Sequence, residues 1–306
     1  MIRDNTAGDP MQPGVKWTNL SRQTIADRVK AKGVAVGKTL VALILRKLGY
    51  RRRKALKKKT MGHHENRNAQ FEKIARFKKA FLKAGLPVIS IDTKKKEMLG
   101  DFSQPGLIET LEPVHTNDHD YASASSGKVI PHGIYDIGRN EGFIHLNTTH
   151  DTSELACDSV AKWWDGHGRK TYPQAKSLLI LCDGGGSNGA NRYVFKEALQ
   201  SLADRLGLHI RVAHYPPYCS KYNPIEHRLF PHITRACRGV ILHSVEVARC
   251  YMAKAETRTG LKVWVEILDK IYETGKKYAE TFKKSMKLVF DKILPKWNYR
   301  AIPQNV

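Results

Sequence analysis

With 306 residues, 41% of them hydrophobic, the chain is long enough to bury a sizeable core and to hold two or three domains. No stretch approaches a membrane span and residues 1–10 lack an apolar signal region, which argues against a membrane or secreted protein and for a soluble, intracellular one. The formal net charge is +23, of which residues 1–83 carry +17 and residues 84–306 only +6, so the expected partner is a polyanion, with nucleic acid first.

Residues 1–19 are rich in Gly, Pro and Asp and read as a lead-in loop. Ser21 is placed to cap a helix that carries Ile25 and Val29 on one face. Lys32-Gly33 ends it, and a second helix over 38–48 carries Val41, Ile44, Leu45 and Leu48. Two short helices joined by a Gly-containing turn predict a helix-turn-helix. The run R-R-R-K-A-L-K-K-K follows directly, and Lys38, Arg46, Arg51, Arg52, Arg53, Lys57, Lys58 and Lys59 are the candidate DNA contacts, aimed at backbone phosphates. Any helical hairpin shows the same apolar spacing, so the DNA reading rests mainly on charge. The stretch G-V-A-V-G-K-T (33–39) resembles a P-loop but is one residue short between its glycines and has no strand before it, so it is read as a turn.

Residues 65–83 predict a basic helix with Phe71, Ile74, Phe77, Ala80 and Phe81 on its apolar face, ended by Gly85 and Pro87. Strand signals follow at 88–91, 99–102, 133–137 and 142–147, short and joined by tight turns, as in an antiparallel meander. A helix capped by Asp151 or Thr152 runs to about Trp164. Residues 178–182 form an apolar run too short for a helix, followed by D-G-G-G-S-N-G, a helix to Leu206, a strand over 208–213 and a closing helix. This order predicts an α/β, RNase H-like core, a mixed sheet with flanking helices, preceded by a small all-α helix-turn-helix domain. The expected organisation is a basic helix-turn-helix region over 1–60, a basic helical linker over 61–86, the core over 87–245 and an amphipathic helical region over 246–306. Five cysteines, odd in number and never spaced C-x-x-C, indicate neither a disulfide framework nor a zinc site.

Three acids fall at informative places in that order. Asp92 ends the first core strand, Asp183 ends the central one, and Glu226 lies in the first turn of the closing helix. In an RNase H-like sheet the first and fourth strands are neighbours, so Asp92 and Asp183 would lie side by side with Glu226 above them. Clustered carboxylates repel one another, and a divalent cation resolves the conflict. Oxygen donors without Cys or a His pair point to Mg²⁺ or Mn²⁺. Two such ions about 3.5–4 Å apart would stabilise the attacking and leaving oxygens of an in-line phosphoryl displacement.

Each acid also has a plainer explanation. Asp92 could start a hairpin turn and Asp183 could be an ordinary strand-end acid. Asn223, Pro224 and Glu226 fit the N-cap, first-turn and capping-box positions of a helix. His227 is the one histidine worth watching. Gly184, Gly186 and Gly189 also satisfy G-x-G-x-x-G between a strand and a helix, which keeps a dinucleotide-binding enzyme as a remote alternative. That reading lacks the acid expected at the end of the next strand, where the chain reads H-Y-P-P.

With these residues in view, the chain resembles DDE transposases of bacterial insertion sequences, most closely the group with the Rhodopirellula-type transposase DDE domain. The likeness lies in S-I-D-T-K-K-K-E, I-P-H-G-I-Y-D-I, the N-E-G turn, C-D-G-G-G-S-N-G and Y-C-S-K-Y-N-P-I-E-H-R-L-F, across about 88–242. It implies that Asp92, Asp183 and Glu226 are the catalytic, metal-binding acids and that the cofactor is Mg²⁺ or Mn²⁺, two ions. It further implies cleavage at the terminal inverted repeats, strand transfer into target DNA, and a homo-oligomer that brings two ends together. The segment V-H-T-N-D-H-D-Y (114–121) is more polar and longer than its family counterpart. Relatives carry more helix-turn-helix sequence ahead of the point where this chain begins, so an N-terminally shortened copy is expected. The competing expectations are an RNase H-like nuclease that does not join, and an inactive DNA-binding protein.

Overall fold

The computed structural model describes residues 6–9, 12–18, 20–53, 64–277 and 281–304. They divide into two compact units, Met1–Lys59 and Thr60–Val306.

In the first unit the predicted lead-in loop is instead an antiparallel pair, β1 (Thr6–Asp9) with β2 (Gln12–Thr18), so the unit is not all-α. Two helices follow, α1 (Arg22–Lys30) and α2 (Lys38–Lys47). Ser21 caps α1 as its residue type predicts, its side chain accepting from Thr24 N–H at 3.0 Å. Ile25, Ala26 and Val41 form the small core, with Leu20, Val29, Val36 and Leu45 packed around them. Ile44 and Leu48, expected on the buried face of α2, are exposed. The P-loop look-alike is the α1–α2 connection, where Gly33 adopts φ +86°, a conformation glycine reaches without strain.

The second unit is a mixed sheet between helices. Its elements are α3 (Arg67–Lys83), β3 (Val88–Thr93), β4 (Glu97–Leu99), β5 (Gly127–Asp136), β6 (Glu141–Asn147), α4 (Ser153–Trp163), α5 (Arg169–Thr171), β7 (Ser177–Cys182), α6 (Tyr193–Leu206) and β8 (His209–His214). They continue with α7 (Ile225–Arg228), α8 (Phe230–Ala236), α9 (Val245–Met252), β9 (Lys262–Ile267), α10 (Phe282–Ser285), β10 (Leu288–Phe290) and β11 (Asn298–Ala301). Among the described residues the sheet order is β10-β11-β8-β7-β3-β5-β6-β9, with β4 paired to β5. The five central strands, counted along the chain, stand 3-2-1-4-5. Within them β5 runs antiparallel to β3 and β6, whereas β7 and β8 run parallel to β3. The neighbouring of β3 and β7 is as expected from the sequence for an RNase H-like core.

Alternation along the strands sorts the side chains into two layers. Ile89, Ile91, Leu178 and Ile180 face α4 and α6, where they meet Val160, Trp163, Phe195 and Leu199. Val88, Leu179 and Leu181 face the other way, onto Ile74 of α3. On that second face Tyr135, Ile144 and Leu146 pack against Ile225, Leu229 and Phe230 of the α7–α8 region. Two glycines allow the close approach. A Cβ on Gly133 would stand 2.6 Å from the Phe230 ring and 2.8 Å from Ile225, and one on Gly142 would stand 2.3 Å from Leu229.

Three expectations are corrected. Residues 246–306, read as helical, contribute β9 to one edge of the sheet and β10 and β11 to the other. In the β9 region Lys262 and Lys270 are exposed and Glu266 half-buried, while Val265 and Trp264 are held by strand pairing with β6 and by stacking of Trp264 on Phe143 at 4.9 Å between centroids. Residues 61–86, read as a linker, contain α3, which packs on the sheet as part of the same compact unit. The strand expected over 99–102 ends at Leu99, and the connection to β5 is a long irregular arm carrying exposed Leu107, Ile108 and Leu111.

Because Gly133 lets α7 reach the sheet, Gly133→Ala should destabilise the protein by about 1–3 kcal/mol through overpacking. Thermal denaturation of wild type and variant checks this, and an unchanged midpoint would contradict the close-approach account.

Candidate functional site

The site forms at the carboxyl ends of β3 and β7, on the face covered by α3 and α7. Val88, Ser90 and Asp92 alternate onto that face. The β3–β7 register pairs Val88 with Leu179 and Ser90 with Leu181. Two residues further along both strands, Asp92 and Asp183 fall beside each other.

Glu226 comes from α7, and a buried bracket fixes that short helix to β3. Ser90 Oγ donates to Asn223 Oδ1 at 2.5 Å, Ile225 N–H donates to Ser90 Oγ at 3.0 Å, and Asn223 Nδ2 donates to the Ile91 carbonyl at 3.1 Å. Asn223 is therefore not the helix cap its position predicted. Pro224 holds the N-cap position without a side-chain bond, and Glu226 is free of a capping-box role. His227 is exposed and its Nε2 contacts the Lys221 carbonyl in its own loop, away from any ligand role.

The three carboxyl groups sense one another. Burial first, then the neighbouring Asp183 carboxylate, push Asp92 up to about 8, with Glu226 adding to the rise by its charge and by hydrogen bonding. Thr93 N–H opposes this by donating to Asp92 Oδ1 at 2.8 Å. Asp183 is raised mainly by burial, with Glu226 and Asp151 adding repulsion and the Gly185 N–H opposing it. Asp151, expected only as a possible cap, is thus a fourth acid of the neighbourhood, and Thr93 Oγ donates to it at 3.0 Å. The cap itself is Thr152, which accepts from Leu155 N–H at 3.1 Å. Exposed Lys95 and Lys96 lie three and four residues beyond Asp92. Strand-end acids are visible in a sequence, but the Thr93–Asp151 contact spans 58 positions and has no local signal.

The donors are hard carboxylate oxygens, the chemistry that suits Mg²⁺ or Mn²⁺. Among the described residues no group of three or more His, Cys, Asp or Glu is drawn together tightly enough to hold one metal ion. The acids form an open set whose mutual repulsion a bound cation would relieve. In donor chemistry the set fits such an ion.

The candidate DNA contacts lie in the other unit. Lys38 and Arg46, with Arg22, Thr39, Ala42 and Leu43, line a hollow of about 330 Å³ beside α2. Arg51 donates to the Arg46 and Tyr50 carbonyls at 2.7 and 3.0 Å, and Arg52 and Arg53 are exposed. Lys57, Lys58 and Lys59 lie outside the described residues. The dinucleotide alternative gains nothing from the geometry: α6 begins at Tyr193, four residues past Gly189, not at the third glycine.

A mixed sheet with acids converging at one rim is the architecture of the DDE transposase class. The Rhodopirellula transposase DDE domain model matches residues 1–303, and the chain belongs to that family. No curated protein matches it in sequence. Solved structures of similar shape include a Mos1 mariner paired end complex with Mn, at 14% identity and TM-score 0.45, covering 76% of this chain and 65% of that one. The corresponding complex with Mg gives 13%, 0.46, 76% and 65%, and the Mos1 Strand Transfer Complex 15%, 0.44, 76% and 64%. The chain thus spans just under two thirds of the length of these Mos1 chains. Among the described residues no helix is long and apolar enough to cross a membrane.

The raised Asp92 carboxyl has a signed consequence. Its unfolded value is near 3.8, so the folded protein holds a proton that the unfolded chain releases. Stability is fully present below that value and is lost as pH rises toward about 8. In EDTA, Asp92→Asn should therefore melt above wild type at pH 8, by a margin that shrinks toward pH 4. A margin independent of pH would refute the buried-carboxyl account.

Proposed function

We propose that the protein is a metal-dependent DNA strand-transferase that cleaves at the ends of its own element and joins the freed ends to target DNA. The observation that carries this reading is the convergence of Asp92, Asp183 and Glu226 on one sheet face in a chain of the transposase DDE family.

Asp92 and Asp183, on adjacent rigid strands, would hold and orient a divalent cation between them, and Glu226 would complete the donor set from α7. Mg²⁺ or Mn²⁺ bound there, as one ion or two, supplies Lewis-acid stabilisation of charge developing on phosphate oxygens. The chain's own part is to keep three carboxylates ionised together only when a cation is present, and to hold them on β3, β7 and the bracketed α7 without reorganisation. The Mos1 complexes with Mn and with Mg fit this choice of ion. The glycines after Asp183 leave the rim clear for a phosphodiester backbone, and Lys95 and Lys96 stand where they can meet its charge.

End recognition is assigned to the first unit, with Lys38, Arg46, Arg51, Arg52 and Arg53 gripping phosphates and α2 entering the groove. Lys57, Lys58 and Lys59 are proposed to extend that grip. Pairing of two element ends calls for a homo-oligomer, and the protein is proposed to act in the cytoplasm at the nucleoid.

One assay separates this from its rivals. With labelled element-end DNA, a plasmid target and Mg²⁺, wild type should nick and join, and Asp183→Ala should bind but do neither. Nicking without joining identifies a nuclease. Binding without either reaction by wild type identifies a DNA-binding protein and sinks the enzyme claim. Separately, replacing Arg51, Arg52 and Arg53 together by Ala should flatten the salt dependence of binding by roughly 0.9 in log–log slope per lost phosphate contact. An unchanged slope would remove these residues from the interface.

A further inference from the structure

Asp183 stands at a mechanical boundary. The β7–β8 ladder closes with Cys182 paired to His214, and three exposed glycines follow Asp183, with Gly186 at φ +61°. Glycines restrain the backbone least of all residues, so a carboxylate placed at their start needs holding from outside. Three side chains supply main-chain anchors along this turn. Ser153 Oγ donates to the Ser187 carbonyl at 2.6 Å, Lys196 Nζ to the Ala190 carbonyl at 2.8 Å, and the His214 ring bonds the Asp183 carbonyl at 2.9 Å. Of these, only His214 holds Asp183 itself.

The tautomer of His214 follows from its partners. Nδ1 faces the Asp183 carbonyl at 2.9 Å and Cys182 Sγ at 3.3 Å, and because a carbonyl only accepts, Nδ1 carries the proton toward Asp183 O. In a neutral ring Nε2 then accepts, and it receives the Tyr299 hydroxyl at 2.9 Å. Full burial favours that neutral ring, pushing His214 down to about 4. Tyr299 is itself fully buried on β11, paired to β8 opposite Val212. The main chain of His214 is held as well: Gln70 Nε2 donates to its carbonyl at 2.8 Å, and Gln70 and Asn298 exchange amide bonds of 2.7 and 3.1 Å.

We propose that His214, fixed by Tyr299, is a positioning residue for Asp183: it pins the Asp183–Gly184 peptide, and with it the Gly185 N–H that bonds the carboxylate. Tyr299 on β11, 85 positions beyond His214, thereby bears on the geometry of Asp183 through a hydroxyl–imidazole–carbonyl relay. This rests on the reading of Asp183 as a cation ligand.

The test uses the full chain without DNA and measures Mn²⁺ affinity by calorimetry beside the thermal midpoint. Asp183→Asn serves as the control and should remove most of the binding. Tyr299→Phe and His214→Leu should each weaken Mn²⁺ binding about tenfold, the lower end of what loss of a supporting hydrogen bond does to a metal site. His214→Asn, whose amide nitrogen can take the place of Nδ1, should bind closer to wild type than His214→Leu. If Tyr299→Phe and His214→Leu lower the midpoint yet bind Mn²⁺ like wild type, the two residues are merely structural and the inference is overturned. Should His214→Leu fail to fold, Tyr299→Phe decides alone, since it removes one hydroxyl. Unchanged affinity in Asp183→Asn instead overturns the underlying site reading, and this inference with it.

Discussion

Everything in the larger unit bears on one constraint: carboxylates of like charge held together at a partly buried sheet rim. Left alone they would repel, and the structure shows the response. Burial and the neighbouring Asp183 carboxylate push Asp92 up to about 8, and Asp183 is raised by burial and by its acidic neighbours. A protein gains no stability from such an arrangement. Its persistence marks a place where the fold tolerates local cost, which is where functional groups are found.

Holding the acids in place takes most of the architecture. The parallel β3–β7 register brings the two aspartates level, and that register is set by apolar residues alternating between two helical layers. Glu226 depends on longer-range contacts, because α7 is only four residues long and would not stand alone. It is fixed from below by the Ser90–Asn223 bracket and from the side by Ile225 and Leu229 meeting the sheet where Gly133 and Gly142 make room. The C-terminal strands close the sheet on both edges, and β11 supports β8 directly behind Asp183.

The sequence made the central strands and the rim acids legible because both are local signals. A short apolar run such as 178–182, ended by an acid and glycines, has few other readings, and helix caps such as Ser21 and Thr152 announce themselves by residue type. What stayed hidden depends on partners far along the chain. Asn223 has the sequence of a cap but is spent on β3, 132 positions away at Ile91. K-V-W-V-E-I at 262–267 reads as part of a charged helix until β6 offers an open edge with Phe143 to stack on. Asp151 and His214 join the site through the same kind of remote contact, and no spacing rule could have selected them. The role of Asp92, Asp183 and Glu226 remains the proposal, and their shared location is the finding that supports it.

The central claim is that these three carboxylates form a single cation site. The most direct measurement is a crystal structure grown with Mn²⁺, with data collected to locate manganese by anomalous scattering. The account predicts density for the metal between Asp92 and Asp183, with Glu226 among its ligands. Manganese absent from that rim at saturating Mn²⁺ would contradict it.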